Sequence, residues 1–173
     1  MYLAIQALHP LRLEEVLGLK WEDVNLDKMT ITVRRAVTHP KRNEPEVKVP
    51  KTTSSVRVIG LSTIAKSHLS LGNAKHFIFG GETPYSYQRV RRMCERIQRD
   101  TGFDEKITPI RFRTTVLTDI YEQTHDVKAA QHAAGHTTAA MTLKHYIHGR
   151  SNCQCSANSI DKAYCSKIAK AEP

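Results

Sequence analysis

The stretch LRLEEVLGLKWEDV, residues 11–24, is the segment that most constrains the fold. Its apolar residues recur at the spacing of one helical face, which predicts a helix beginning at Leu11. The residues that set this spacing are Leu11, Val16, Leu17 and Leu19. Upstream, residues 2–8 (YLAIQAL) predict the end of another helix. His9-Pro10 separates the two, because a proline disfavours helix at the residue before it.

Downstream of residue 24 the pattern changes to short strands and then to helices. Residues 29–37 (MTITVRRAV) alternate and are rich in β-branched side chains, which predicts a strand. THPKRNEP, residues 38–45, is predicted to be a loop, and two further strands, 46–50 and 56–61, flank a KTTSS turn. Helices are predicted at about 62–70, 84–100, 109–124, 126–134 and 137–147. The expected fold class is therefore α+β, mainly α, with a small three-stranded antiparallel sheet packed among helices.

The charge balance favours a polyanionic partner. The chain has 173 residues, enough for one domain, and its 26 Lys and Arg against 17 Asp and Glu give a net charge of +9. Each phosphate that such a surface neutralises releases a counterion. Charge alone fits a generic basic protein equally well. Aromatic residues make up only 6% of the chain, which argues against a stacking platform for single-stranded nucleic acid.

Membrane and metal-binding signals are weak. The sequence has no apolar run of about 18 residues and no pattern of a secretory signal. Cys153 and Cys155 form a C-x-C pair, which is not the usual zinc spacing, so reduced thiols are expected. We therefore expect a cytoplasmic protein with no metal and no membrane contact.

One predicted helix, within SYQRVRRMCERIQRD (residues 86–100), carries a basic stripe beside an apolar face. The stripe consists of Arg89, Arg92, Arg96 and Arg99, and the apolar face consists of Val90, Met93, Cys94 and Ile97. Such a row fits along a DNA backbone, and a solvated helix face is the alternative interpretation.

Five residues in chain order would suffice for phosphoryl transfer on DNA: Arg12, Lys51, Arg113, His136 and Tyr146. Cationic side chains can neutralise a phosphate whose charge grows in the transition state, and a tyrosine can attack it. The sequence has neither an HExxH motif nor a Walker loop, which leaves a metal nuclease or an NTPase poorly supported.

These residues lie in motifs that resemble those of the tyrosine recombinases (phage integrase family). P-L-R-L-E-E-V-L-G-L-K-W-E-D resembles the first box, with Arg12 as its arginine and Glu15 as its supporting acid. Pro50-Lys51-Thr52 before R-V-I-G-L resembles the hairpin that carries the family's lysine. The second box, usually H-x-x-R, reads I-R-F-R, so that Arg113 matches and Ile110 replaces the histidine. Arg111, inside this box, is a candidate DNA contact.

The third box and the nucleophile also match the family. Ala134-Gly135-His136 resembles L-G-H, and Thr142-Leu-Lys-His-Tyr146 resembles T-x-x-x-Y. The resemblance implies a metal-free transesterification without a cofactor or a small-molecule substrate. Tyr146 attacks the phosphate, Arg12, Arg113 and His136 bind its oxygens, and Lys51 protonates the 5′-oxygen.

The resemblance also implies partners and organisation. Double-stranded DNA, self-association of the full-length protein as a tetramer on DNA, and a bacterial or phage origin are expected. Residues 1–150 are expected to form the catalytic domain without the N-terminal DNA-clamping domain, and to bind DNA weakly with little sequence preference. Residues 151–173 are predicted to be either a helix exchanged between protomers or a frayed tail.

Other functions remain open on the sequence. Ile110 and the short N-terminal region favour a catalytically impaired DNA-binding remnant, whereas the retained five residues favour an active enzyme. A type IB topoisomerase would share the chemistry. A basic RNA-binding module would leave the ordered motifs unexplained.

Overall fold

The computed structural model describes residues 1–41, 44–49, 56–70 and 72–147, without the side chains of residue 41 and residues 144–147. Seven helices and five strands occur in these ranges, together with a short 3-10 helix, Trp21–Asp23. The helices are α1 (Tyr2–Leu8), α2 (Leu13–Gly18), α3 (Thr63–Ser67), α4 (Tyr87–Thr101), α5 (Pro109–Thr124), α6 (Val127–Ala134) and α7 (Ala139–Ile147). The strands are β1 (Val24–Asn25), β2 (Thr30–Val33), β3 (Ala36–Lys41), β4 (Glu44–Lys48) and β5 (Arg57–Gly60).

The C-terminal helices form where the sequence predicts them, because each has a local start or stop signal. The Thr108 hydroxyl accepts from the backbone N–H of Arg111, and Pro109 occupies the first turn of α5. The Asp126 carboxylate caps α6 in the same way, and Gly135 ends it in the left-handed conformation. The mainly helical α+β fold class is confirmed.

The strands that form the sheet differ from those predicted. β2 is the centre of a three-stranded antiparallel sheet with the order β1-β2-β5, and β3 and β4 pair in a separate two-stranded sheet. The single strand predicted at 29–37 is wrong, since it is interrupted at Arg34 and Arg35. These two side chains form ion pairs with Asp23, which lies on the 3-10 helix, and the chain changes sheets there.

The loop predicted at 38–45 is also largely wrong, because β3 continues to Lys41 and β4 begins at Glu44. Pro40 is accommodated since a two-stranded sheet has only edge strands, where a missing N–H is tolerated. The register is irregular between Thr38 and Lys41. The KTTSS turn, residues 51–55, lies outside the described residues.

The core joins the helices to the sheets. α1 packs against α3 and α5, α2 packs against β3, and α5, α6 and α7 pack in sequence. Gly18 allows the α2–β3 contact, because a Cβ at this position would lie 2.8 Å from the backbone oxygen of Arg35. The described helices include none long and apolar enough to cross a bilayer.

His9 connects α1 to α3 as a buried neutral ring. Its Nε2 lies 3.0 Å from the backbone N–H of Ser62, which can only donate, so Nε2 is the acceptor. Nδ1 lies 3.0 Å from the Ile5 carbonyl oxygen and therefore carries the proton. Burial lowers the pKa of His9, and the bond to Ile5 offsets only part of this effect.

We expect the protein to lose stability as the pH falls below about 6.5, the ordinary pKa of histidine. In that range the unfolded chain binds a proton at His9 more readily than the folded chain does, so acid favours unfolding. Urea unfolding between about pH 7.5 and 5.5 measures the slope, and His9→Gln should reduce it because glutamine does not titrate. An unchanged slope in His9→Gln would contradict this assignment.

Candidate active site

A groove of about 1040 Å³ lies between α2, the β4–β5 side of the sheets and the corner that joins α6 to α7. The ionisable side chains that line it are mostly basic, and the basic ones are Arg12, Arg35, Lys48, Arg57, Lys128, His132 and His136. Glu15 is the one acidic side chain among the described residues that line it. A groove of this charge is suited to an anionic ligand.

Arg12 and Glu15 are brought together by the first turn of α2. The Arg12 backbone N–H donates to Glu15 Oε2 at 2.8 Å, and its Nη1 donates to Glu15 Oε1 at 3.1 Å. The Arg12 side chain is 40% exposed and lines the groove, so that part of its guanidinium remains open to a ligand.

Arg57, on β5, holds Glu15 from the opposite side. Its Nη1 and Nη2 donate to the two oxygens of Glu15 at 2.9 and 2.8 Å, and both side chains are only 10% exposed. Burial raises the pKa of Glu15, but the hydrogen bonds and charges of Arg57 and Arg12 outweigh burial and keep it below its ordinary value. Glu15 is therefore ionised at neutral pH. In the sequence, Arg57 is recognisable only as part of the R-V-I-G-L motif that follows Lys51, and it was not predicted to belong to the site.

Arg113 is buried beside Glu15 and His136, with 8% of its surface exposed. Its guanidinium donates to the carbonyl oxygens of Pro10 at 2.6 Å and Ala134 at 2.8 Å, and to His136 Nε2 at 3.0 Å. Burial lowers the pKa of Arg113, the positive charge of Arg12 lowers it further, and the result is about 10. Arg113 is thus still protonated at neutral pH.

His136 follows the left-handed end of α6 and is held from three sides. The Gln131 side chain donates to its backbone carbonyl at 3.1 Å. Its ring bonds to Arg113 through Nε2, and its Nδ1 lies 2.9 Å from the Thr142 hydroxyl on α7. The structure therefore brings Arg12, Glu15, Arg113 and His136 together, as the sequence predicted.

Gly135 allows the chain to turn between α6 and α7. Its φ of +63° and its close approach to Arg57 both disfavour any side chain at this position. A Cβ at this position would lie 2.9 Å from Arg57 Cζ. We expect Gly135→Ala to lower the free energy of unfolding by about 1–3 kcal/mol.

Gly102→Ala is the matched control for Gly135→Ala. Gly102 has the same φ, +63°, and nothing lies within 4 Å of a Cβ added there. The decrease in the free energy of unfolding of Gly102→Ala therefore reports backbone strain alone. Urea unfolding of both variants gives the comparison. Equal losses would show that the contact with Arg57 contributes nothing.

The remaining predicted catalytic residues are less fully described. Tyr146 lies on α7, one turn after the buried Thr142, and its side chain is outside the described residues, as is all of Lys51. Ile110, in the first turn of α5, is 66% exposed and does not line the groove. Its neighbour Arg111 is exposed and forms an ion pair with Glu105.

The predicted basic stripe on α4 is exposed but lies apart from the groove. Its members are Arg89, Arg92, Arg96 and Arg99. The Arg89 guanidinium stacks on the Tyr85 ring at 3.9 Å, and Arg96 pairs with Asp100 at 3.4 Å. The structure thus gives Arg96 an acidic partner, Asp100, and the stripe is not among the residues that line the groove.

The chain belongs to the phage integrase family, whose family model matches residues 1–152. The resemblance seen in the sequence is confirmed.

Among its relatives, the tyrosine recombinase XerC of Thermodesulfovibrio yellowstonii is 27% identical over 144 residues, which cover 79% of this chain and 48% of that protein. The chain therefore spans about half the length of this relative.

Solved structures share the fold at lower sequence identity. The Tn1549 transposon integrase, solved with a circular intermediate DNA, has a TM-score of 0.73 at 18% identity, over 94% of this chain and 57% of that one. The XerA recombinase has a TM-score of 0.65 at 19% identity, over 92% and 54% of the two chains. These similarities establish the architecture of the described helices and sheets.

Proposed function

We propose that this chain is the catalytic part of a site-specific recombinase that cleaves and rejoins double-stranded DNA through a 3′-phosphotyrosyl intermediate. The observation that carries the proposal is one connected cluster, in which Arg12 and Arg113 approach Glu15 and His136 bonds to Arg113. Arg12, Glu15 and His136 of this cluster line the groove. The side chains of the cluster come from α2, α5 and the α6–α7 corner, so that the fold itself assembles it.

In this mechanism the side chains of Arg12, Arg113 and His136 bind the non-bridging oxygens of the phosphate. Guanidinium groups suit this role because they present planar pairs of N–H donors to an oxyanion. Tyr146 loses its phenolic proton to solvent water as its oxygen bonds to phosphorus, and the bond from phosphorus to the 5′-oxygen breaks. Lys51 protonates that 5′-oxygen, and a 5′-hydroxyl from another duplex later reverses the step. Glu15 orients Arg12 and Arg57.

The DNA contacts extend beyond the cleaved phosphate. The net charge of +9 and the basic lining of the groove support binding to the DNA backbone. We assign the α4 arginines and Arg111 to flanking phosphates. Residues 1–150 form the catalytic domain in this proposal, and residues 151–173 join neighbouring protomers in a tetramer on DNA.

The test is relaxation of supercoiled plasmid DNA without added metal or ATP, quenched with denaturant to trap protein–DNA adducts. The parent chain should relax the plasmid and form adducts, Tyr146→Phe should do neither, and Tyr121→Phe should behave like the parent. Salt-sensitive DNA binding with no relaxation and no adducts would instead support the second candidate, a catalytically impaired DNA-binding remnant.

Ile110 is the observation that favours this second candidate, since its side chain cannot hydrogen-bond a phosphate. We expect Ile110→His to raise the rate of adduct formation between about 10- and 100-fold, by adding a donor or acid three residues before Arg113 on α5. Stability should change little, because residue 110 is 66% exposed. Ile110→Ala controls for loss of the isoleucine. Equal rates in the histidine and alanine variants would show that this position does not reach the phosphate.

A further inference from the structure

Thr142 is a buried polar residue that the proposed mechanism does not use. It lies on α7, four residues before Tyr146, and only 1% of its surface is exposed. Its hydroxyl oxygen lies 2.9 Å from His136 Nδ1. Thr142 thus connects the histidine of the site directly to the helix that carries the candidate nucleophile.

The contact with Arg113 determines where the His136 ring carries its proton. Arginine N–H groups only donate, so Nε2, which lies 3.0 Å from Arg113 Nη2, must present its lone pair. In the neutral ring the proton is then on Nδ1, and Nδ1–H donates to the Thr142 hydroxyl. This is the DNA-free arrangement of the site.

Phosphate binding requires the opposite polarity at Nε2. In the proposed function His136 faces a phosphate oxygen, and a lone pair on Nε2 would repel it. His136 must then either take up a second proton or move its proton from Nδ1 to Nε2. A hydroxyl can accept from Nδ1–H in the first form and donate to bare Nδ1 in the second, so that Thr142 fits each state.

We propose that Thr142 is a positioning residue whose hydroxyl, together with Arg113, holds the proton of neutral His136 on Nδ1 in the DNA-free protein and can reverse its own hydrogen bond when a phosphate binds. The second half of this inference, the reversal when a phosphate binds, rests on the proposed function. The first half concerns the DNA-free protein alone.

Several charged and titratable groups share the surroundings of His136 and influence its protonation. Arg113 faces the ring from α5, and the other groups are farther along the same groove. These are Arg12 and Glu15 from α2, Arg57 from β5, and Lys128 and His132 from α6. All of these side chains are retained in the Thr142 variants, so a change in the protonation of His136 reports the hydroxyl of residue 142.

Nitrogen NMR of the DNA-free chain, labelled with 15N-histidine and assigned with His136→Gln, tests the first half. The parent and Thr142→Ser should show neutral His136 protonated at Nδ1. Thr142→Val, which keeps the shape of the side chain and removes the hydroxyl, should shift the proton away from Nδ1 or change the titration midpoint of the ring. The same protonated nitrogen and midpoint in Thr142→Val and the parent would overturn the proposal.

Adduct formation on supercoiled plasmid tests the second half. Thr142→Val should slow it by about 10- to 100-fold, the range found when a partner that orients a metal-bound histidine is removed. Plasmid affinity and the circular dichroism spectrum should be unchanged, and Thr142→Ser should retain the parent rate. A parent rate in Thr142→Val would overturn this half. Absence of adducts in the parent would overturn the proposed function, while the NMR result still decides the role of Thr142.

Discussion

Arg113→Lys should lower the rate of adduct formation by about 100- to 1000-fold, the loss expected when a preorganised donor to a developing oxyanion is removed. The Arg113 guanidinium bonds to Pro10, Ala134 and His136 at once, which fixes its plane beside His136. A lysine ammonium keeps the charge but cannot reproduce this planar arrangement. The measurement is the amount of trapped adduct against time at saturating plasmid.

The matched control is Arg111→Lys, two residues away on the same helix. Arg111 is exposed and pairs with Glu105, so the same chemical change there should alter plasmid affinity slightly and leave the rate at saturating DNA unchanged. Comparable losses of rate in the two variants would contradict the assignment of Arg113 to the reacting phosphate.

Glu15→Ala should cost about 3–5 kcal/mol in the free energy of unfolding, the usual loss when one partner of a buried ion pair is removed. Three guanidinium groups, those of Arg12, Arg57 and Arg113, lie within 4 Å of the Glu15 oxygens. Without the carboxylate, their charges repel one another and the buried Arg57 loses both of its acceptors. Urea unfolding at neutral pH gives the value.

A double-mutant cycle measures the coupling free energy between Glu15 and Arg57 separately from the contacts that each makes with other residues. Glu15→Ala with Arg57→Ala should be less destabilising than the sum of the two single changes, because removing both members does not leave the buried Arg57 or Glu15 charge without its partner. Glu95→Ala, which breaks the exposed Arg91–Glu95 pair, serves as the control and should shift the unfolding midpoint little. Simple additivity at Glu15 and Arg57 would show that the two do not depend on each other.

Helix positions were predictable from the sequence where local signals determine them. The Thr108-Pro109 start fixes α5, and Asp126 and Gly135 bracket α6. The division of residues 29–37 between two sheets was not predictable, because it depends on contacts of Arg34 and Arg35 with Asp23, more than ten residues away. Strand periodicity continues through such a change of sheet.

The site was predictable to the extent that its residues carry motifs. Arg12, Glu15, Arg113 and His136 lie together as expected, whereas Arg57 and Thr142 were missed as functional residues. Arg57 resembles any polar residue in an alternating strand, and its partner Glu15 is 42 residues away. Thr142 was identified only as the threonine of the T-x-x-x-Y motif, and its contact with His136 appears only in the structure.

The most direct test of the account identifies the residue that becomes linked to DNA. Adducts formed on supercoiled plasmid are trapped with denaturant, digested with nuclease and trypsin, and analysed by mass spectrometry. Cleavage after Lys144 and Arg150 releases HYIHGR, residues 145–150, which contains Tyr146 as its one tyrosine. The account predicts the nucleotide mass on this peptide. A nucleotide on any other peptide, or relaxation of the plasmid with no linked peptide, would contradict it.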